Sequence, residues 1–428
     1  MARQRYSISP IAMGISSSSP ELFTGNGYSA NVVNGRIEQN SFVSRWGYVT
    51  DRTLESGPVY VICKYDKIDG SRNTLYLTDT DLCAKEIGVG ETYSYKTETY
   101  TDGSISGLSG DKLTVTGNGS TDFVTAGIAA GDKFIIDADH SAKVEPDANW
   151  ATVASVTDLH TIVLSAAYTG SAASGSYKIR KVYSVPDNER WSWCIINDIF
   201  CFTNGDVGVH YWDGSGYATS LDEDNASKAR YAIEYGNRLV LADTYISSLR
   251  RPCTLKWSDE NDPTTWDGIT AGENDFQDTE NFITGLGKVG SSLVVYRRDN
   301  IVLGNRTGVA TAPFSFPTIK KGIGCVAPYS IVDFGGTNAW LGRDDFYMMN
   351  GETPEAIGGE IRNAFFDGLG YTEMENVWGG VNYNLNEVMW VANKNDGRKV
   401  YVWNYKINQW YIYDLAINES AFGMGVIT

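Results

Sequence analysis

A turn followed at once by a short apolar strand recurs along this chain, as INDIFCFTN (196–204), YGNRLVLAD (235–243), VGSSLVVYR (289–297), FGGTNAWLGR (334–343) and YNLNEVMWVA (383–392). Successive copies lie roughly 40 to 55 residues apart. A repeat of that period implies one supersecondary unit per copy, too small to bury its own apolar face and stable only when stacked on its neighbours. The spacing is that of β-propeller blades. Each unit carries a further hairpin: 209–212 before Asp213-Gly214, 345–349 before Asn350-Gly351, and the pair 400–403 and 410–413. An earlier pair, 58–65 and 73–78, flanks Asp69-Gly70 and starts a unit that is then interrupted.

Composition agrees with short strands and tight turns. The chain has 26 Tyr, 12 Trp and 45 Gly in 428 residues, and no long stretch with helical periodicity. The fold class expected is all-β: a β-propeller of about six blades, beginning near 57, 191, 229, 281, 327 and 377, with an inserted small β-barrel-like domain. Three regions follow: 1–87 (N-terminal arm, ribbon and first blade hairpin), 88–181 (the insertion) and 182–428 (the remaining blades and ring closure). The insertion is rich in Ser, Thr, Gly and Ala and poor in aromatics. It reads as five short strands, 111–116, 132–138, 151–156, 161–164 and 176–180. Upstream, 31–48 alternates around Asn34-Gly35 and predicts a hairpin there. This ribbon, or 421–427, is expected to supply a strand that closes the propeller ring.

Several function classes are disfavoured. The formal charge is −17, and so acidic a surface does not adhere to nucleic acid or anionic lipid. Residues 1–20 lack the apolar core of a signal peptide and no run of 18 apolar residues occurs, so no membrane span is expected and a cytoplasmic origin is. The six cysteines are dispersed. Cys194 and Cys201 fall opposite each other if Asn197-Asp198 is a two-residue turn, and a buried reduced pair is expected over a disulfide.

The fullest unit is 253–305. It holds an acidic turn between Trp257 and Trp266 that resembles the aspartate box of sialidase-type propellers but lacks its central Gly. The expectation is a structural turn whose acids cap backbone amides and whose tryptophans pack between blades. The spacing of Asp259, Asn261 and Asp262 excludes an EF-hand and leaves a looser calcium site open. His140, His160 and His210 are too scattered to form a zinc triad or a Ser-His-Asp relay, and no phosphate or dinucleotide fingerprint occurs in a strand-to-helix context. Two carboxylates would suffice for a glycosidase, but no pair stands out. No catalytic residue, cofactor or metal ligand is assigned.

Charge then inverts along the chain. Residues 259–280 hold eight acids and no bases: Asp259, Glu260, Asp262, Asp267, Glu273, Asp275, Asp278 and Glu280. Residues 285–324 hold Lys288, Arg297, Arg298, Arg306, Lys320 and Lys321 against Asp299 alone. These are either two solvated loops or complementary patches that meet between subunits of a head-to-tail ring. The Arg297-Arg298 hairpin tip is the candidate for a contact with DNA.

The ribbon NVVNGRIEQNSFVSRWGY, the phrase KWSDENDPTTWDG followed by ITGLGKVGSSLVVYRRDNIVLGN, and YVWNYKINQWYIYD near the end together resemble the tail nozzle proteins of short-tailed bacteriophages, also called packaged-DNA-stabilising or head-completion proteins. The insertion resembles small β modules of phage structural proteins. The resemblance implies a virion protein of the tail, assembled in the host cytoplasm: a ring, usually a hexamer, below the portal and its adaptor ring, not an enzyme. Such a ring retains packaged DNA, passes the genome without sequence specificity, and meets tail fibres or spikes and a tail needle or plug. The alternatives are a carbohydrate-binding or glycan-hydrolysing propeller in receptor recognition, and another tail component such as a hub or stopper.

Overall fold

A computed structural model describes residues 35–38, 41–44, 59–87, 93–140, 149–186, 189–221, 228–246, 249–276, 281–351, 353–359, 361–394 and 397–414. Six antiparallel sheets of four consecutive strands each span 59–95, 192–220, 228–275, 283–321, 332–356 and 378–414. They are blades 1 to 6 of a β-propeller, and residues on or just before the innermost strand of each line one central channel.

The recurring motif is the second strand of each blade: Arg72–Thr78, Ile199–Thr203, Leu239–Ile246, Ser292–Arg297, Asn338–Leu341 and Glu387–Lys394. Its turn is conspicuous in sequence because the backbone there needs positive φ. Asn197 and Asp198 sit at φ +46° and +63°, the left-handed pair of a type I′ turn, and Asn237, Gly290 and Asn386 take the same region in their blades. The strand itself reads as a continuous apolar run because both of its faces are buried. Leu239 and Leu241 pack toward blade 2, while Val240 and Ala242 pack toward blade 4.

Five apolar clusters fill the seams between successive blades, from 1/2 through 5/6. The remaining faces of blades 6 and 1 hold Val391, Val402 and Tyr411, and Tyr76, Cys83 and Tyr95. Most of the seams are also pinned by a ring donor that reaches a neighbouring carbonyl. Trp191 Nε1 donates to Thr78 O at 2.7 Å, Tyr235 Oη to Ser291 O at 2.8 Å, Trp340 Nε1 to Gly324 O at 3.1 Å and Trp390 Nε1 to Ser330 O at 2.9 Å. At the 2/3 seam, Thr203 Oγ1 donates to Ala229 O at 2.6 Å. The aromatic wealth of the sequence is thus spent where a large apolar body and one polar tip are both needed.

Three expectations are corrected. No described blade lacks a strand, so ring closure does not draw on the ribbon, which forms its own two-stranded sheet; residues 421–427 lie outside the described residues. The ribbon's strands are Gly35–Glu38 and Ser41–Ser44, with Glu38 opposite Ser41 and Gly35 opposite Ser44, so Gly35 starts a strand rather than forming the hairpin turn. The inserted sheet has seven strands, not five. Thr99–Tyr100 and Ile105–Leu108 were too short and too polar to stand out, and Ile105 bridges to Gly175 to close the sheet on itself around Phe123, Phe134, Ile162 and Tyr177. The last strand of blade 1, Ser94–Tyr95, lies beyond the compositional break at 88.

Charge fastens this barrel to the propeller. Arg180 of the barrel sits against Asp81 of blade 1, both nearly fully buried, with Nε 3.1 Å from Oδ1, and its guanidinium lies 3.5 Å from the centre of the Tyr95 ring and 4.7 Å from that of Trp150. Glu98, on the link between them, takes Lys181 Nζ at 2.9 Å and lies 3.1 Å from His210 Nε2 of blade 2. Burial opposes the charge of Glu98, but His210 and Lys181 outweigh it and hold the carboxyl below its ordinary range.

Candidate functional site

The acidic turn is built as a joint. Asp259 accepts from Thr270 N at 2.9 Å and from the Thr270 hydroxyl; Asp262 accepts from Thr264 N at 2.9 Å and from the hydroxyls of Thr264 and Thr265. Hydrogen bonds from the Thr270 and Thr264 hydroxyls hold both carboxyls below the usual range. Asn261 N donates to Asn237 O at 2.7 Å and Asn261 O accepts from Asn197 Nδ2 at 3.0 Å, which ties the loop to the turns of blades 3 and 2. Trp266 is buried in the 2/3 seam and Trp257 in the 3/4 seam. Glu260 pairs with Arg238 at 3.1 Å and Glu273 with Arg251 at 3.4 Å, both within blade 3, while Thr254 Oγ1 reaches Asp275 at 3.5 Å and Asp267 is exposed. Asp278 and Glu280 lie outside the described residues.

The six basic residues do not gather in one patch. Lys288 pairs with Glu234 across the 3/4 seam at 2.9 Å, and exposed Arg306 lies over Tyr235 of blade 3. Both stand at the end of the blades that carries the acidic turn. Lys320 and Lys321 pair in register with Ile301 and Asn300 at the opposite end, beside the turn of Arg297 and Arg298. Arg297 corrects the sequence reading: it is only 3% exposed and turns inward over Phe276, so it is not a hairpin tip offered to DNA. The strand's alternation, with Tyr296 facing the 4/5 seam, sends residue 297 to the other side.

Arg298 instead faces a cavity of about 340 Å³ at that end of the propeller, between blades 3, 4 and 5. Its backbone is fixed: Arg298 N donates to Phe282 O at 3.2 Å, Asp299 N to Asn281 Oδ1 at 2.9 Å, and Cys325 N to Arg297 O at 3.0 Å. A Cβ at Gly324 would overlap the Arg298 carbonyl, so glycine is required where the two backbones touch. The guanidinium lies between the rings of Phe282 and Tyr371, 6.0 and 5.6 Å from their centres. Tyr371 belongs to α2 (Tyr371–Glu375), which with α1 (Arg362–Phe366) connects blades 5 and 6.

Two more arginines line the same cavity, and both are partnered. Arg250 donates from Nε and Nη2 to the two oxygens of fully buried Asp243, at 2.8 and 2.6 Å. Arg230 donates to both oxygens of Glu189 and has Nη1 3.6 Å from Asp243. Tyr329, whose phenol burial pushes well above its ordinary value, stays protonated and donates to Glu189 at 2.6 Å. Sequence reasoning missed this cluster. Its one visible signal was an acid, Asp243, inside the apolar strand LVLADTYI; a bulge between Ala242 and Thr244 and a φ of +52° at Asp243 turn that acid inward.

The central channel is narrow. It holds about 270 Å³, between Trp193, Tyr231, Leu286, Ile331 and Trp378, and Tyr231, Pro328 and Tyr329 are shared with the arginine cavity. Such a space suits a small molecule and not a nucleic-acid duplex.

No protein-family model and no curated protein matches the sequence. Solved structures do. The propeller is similar to PorZ, a bacterial surface component of the type-IX secretion system of Porphyromonas gingivalis, at 10% identity and TM-score 0.40, over 87% of this chain and 34% of that one. It is similar to the WD40 domain of Neurospora crassa Pan2 at 7% identity and TM-score 0.34, over 74% and 80% of the two chains, and to the phage phi92 endosialidase at 12% and 0.25, over 90% and 63%. This chain spans about a third of the length of PorZ. Likeness at these scores concerns the propeller architecture alone. Among the described residues no helix is long and apolar enough to cross a membrane.

Proposed function

We propose that the protein is a structural subunit of a phage tail, assembling head to tail into a ring, a hexamer by its resemblance to tail nozzle proteins, that continues the channel for packaged DNA and serves as a platform for fibres or spikes. The observation that carries this reading is the way charge is used. Among the described residues several buried or half-buried ion pairs join the barrel to the blades and one blade to the next, as Arg180 to Asp81, Glu98 to Lys181 and His210, and Lys288 to Glu234 do. A propeller whose blades and barrel are joined by such contacts suits a building block of an assembly.

On this reading DNA passes between subunits, since the space inside the propeller, about 270 Å³, does not suit a duplex. A ring multiplies the −17 charge of each chain, and acidic walls repel phosphate within a Debye length of about 8 Å, so DNA slides without sticking. The subunit acts without catalysis on this reading. Electron microscopy of the purified protein, alone and with a portal–adaptor complex, is expected to show closed rings, and labelled subunits are expected at the tail end of particles. A protein that stays monomeric in both settings and never joins a tail overturns the reading.

A further inference from the structure

The arginine cavity is walled in part by contacts that join the blades, yet Arg298 takes no part in them, and its chemistry points to a ligand. We infer that it binds a monoanionic sugar acid, free or as the acidic residue of a glycan, with Arg298 receiving the carboxylate. This site stands independently of whether the chain forms a ring.

An unpartnered donor rather than a net positive charge selects the ligand: Glu375 lines the same cavity and balances its third arginine overall, but the buried Nε of Arg298 has no hydrogen-bond partner among the described residues. Of the three guanidinia, Arg230 and Arg250 are already compensated by Glu189 and Asp243, so only Arg298 has no carboxylate partner among the described residues. One free guanidinium matches one carboxylate, and its rigid fork accepts that group in a bidentate pair. A phosphate dianion would be left undercompensated beside three carboxylates, Glu189, Asp243 and Glu375. Arg250 donates two of its five N–H groups to Asp243, and the rest remain to serve a neighbouring oxygen.

The walls suit a sugar. Phe282 and Tyr371 add apolar wall beside the guanidinium, and Thr372 and Asn376 also line the cavity, with Asn376 Nδ2 donating to Thr372 O at 2.9 Å. Its volume of about 340 Å³ is at the small end of ligand sites, about 300–1,000 Å³, which fits one sugar unit with a substituent and excludes a stacked oligonucleotide. The guanidinium is preorganised, because the Arg298 backbone is held by Phe282 and Gly324 and the side chain by two rings, so little freedom is lost on binding. Glu375 also lines the cavity without a guanidinium partner among the described residues and opposes an anion there.

The test is calorimetric titration of the full chain with N-acetylneuraminic, glucuronic and galacturonic acids, set against glucose, galactose, inorganic phosphate and a short single-stranded oligonucleotide. At least one sugar acid is expected to bind and its neutral counterpart not to. Arg298→Ala is expected to weaken that binding about tenfold or more, as removal of a charge-assisted hydrogen bond does. Tyr371→Leu, on an exposed short helix, weakens it without touching the turn, and Glu375→Gln strengthens it. Arg306→Ala, at the other end of blade 4, leaves it unchanged. Absence of binding by every sugar acid, or binding indifferent to both Arg298→Ala and Tyr371→Leu, overturns the inference. Equal or tighter binding of phosphate or oligonucleotide overturns it in favour of a phosphate site.

Discussion

Arg180→Met tests the joint between barrel and propeller. Both charges are buried, and Nε and Oδ1 stand 3.1 Å apart. At an effective dielectric of about 20, 332/(20 × 3.1) gives roughly 5 kcal/mol of attraction, and the Tyr95 ring adds about 1 to 2 kcal/mol. Desolvation of the two ions offsets most of this, so the pair contributes little net stability. Truncating one partner is different, because among the described residues Asp81 then keeps the hydroxyls of Thr80 and Thr97 as its side-chain donors, at 2.7 and 3.0 Å, in an apolar joint. The expected loss is about 3 to 5 kcal/mol, and Asp81→Asn in the Arg180→Met background should recover most of it.

Urea unfolding, followed by tryptophan fluorescence with Trp150 beside the guanidinium as a local reporter, measures the loss. The pH dependence has a definite sign. Burial, the main cause, already raises the Asp81 carboxyl above its usual value, with Arg180 working in the other direction. Without Arg180 it rises further. A raised folded-state value favours the folded protein at low pH and loses that advantage as pH climbs through it, so the deficit of Arg180→Met should shrink on acidification. A variant within about 1 kcal/mol of the parent, or an equal loss in the Asp81→Asn background, would refute a coupled buried pair.

Glu98, held below its ordinary range by His210 and Lys181, contributes stability above the usual glutamate value of about 4.3 that is lost as pH falls through its lower folded value; Glu98→Gln should flatten that acid limb of the urea midpoint. Burial pushes Cys63 and Cys325 up to about 12, and a hydrogen bond with Cys194, together with burial, raises Cys201 well above its ordinary value. A thiol reagent should therefore find no reactive cysteine in the native protein and six after unfolding without reductant; four would mean a Cys194–Cys201 disulfide. Asn386 stands at φ +57°, so Asn386→Val should cost about 1 to 2 kcal/mol in thermal unfolding while Asn386→Gly costs little. Gly324→Ala should displace the Arg298 turn and abolish sugar-acid binding with the blades still folded, as far-ultraviolet circular dichroism would report.

The blades were legible because their signals are local. A positive-φ turn needs Asn, Asp or Gly, and a strand buried on both faces needs an apolar run, so YGNRLVLAD and VGSSLVVYR announce themselves without neighbours. Cys194 opposite Cys201 followed from the same turn, and the register bears it out. Trp257 and Trp266 were legible as packing residues for the same reason. Arg297 and Arg298 were not separable in sequence, since two adjacent bases differ only in which face of a strand end they take; one is buried over Phe276 and the other opens into the cavity.

Sequence by itself determined the repeat, its period, the turns and the presence of an inserted β domain, because each depends on a few consecutive residues. Tertiary structure alone decided where charge is spent. Glu189, Arg230, Asp243, Arg250, Arg298 and Tyr329 come from separate blades and links, and their meeting depends on the stacking of blades about one axis. Hydrogen-bond and Coulomb energies fall away within a few ångströms, so residues more than a hundred positions apart acquire a shared function only when packing has brought them that close.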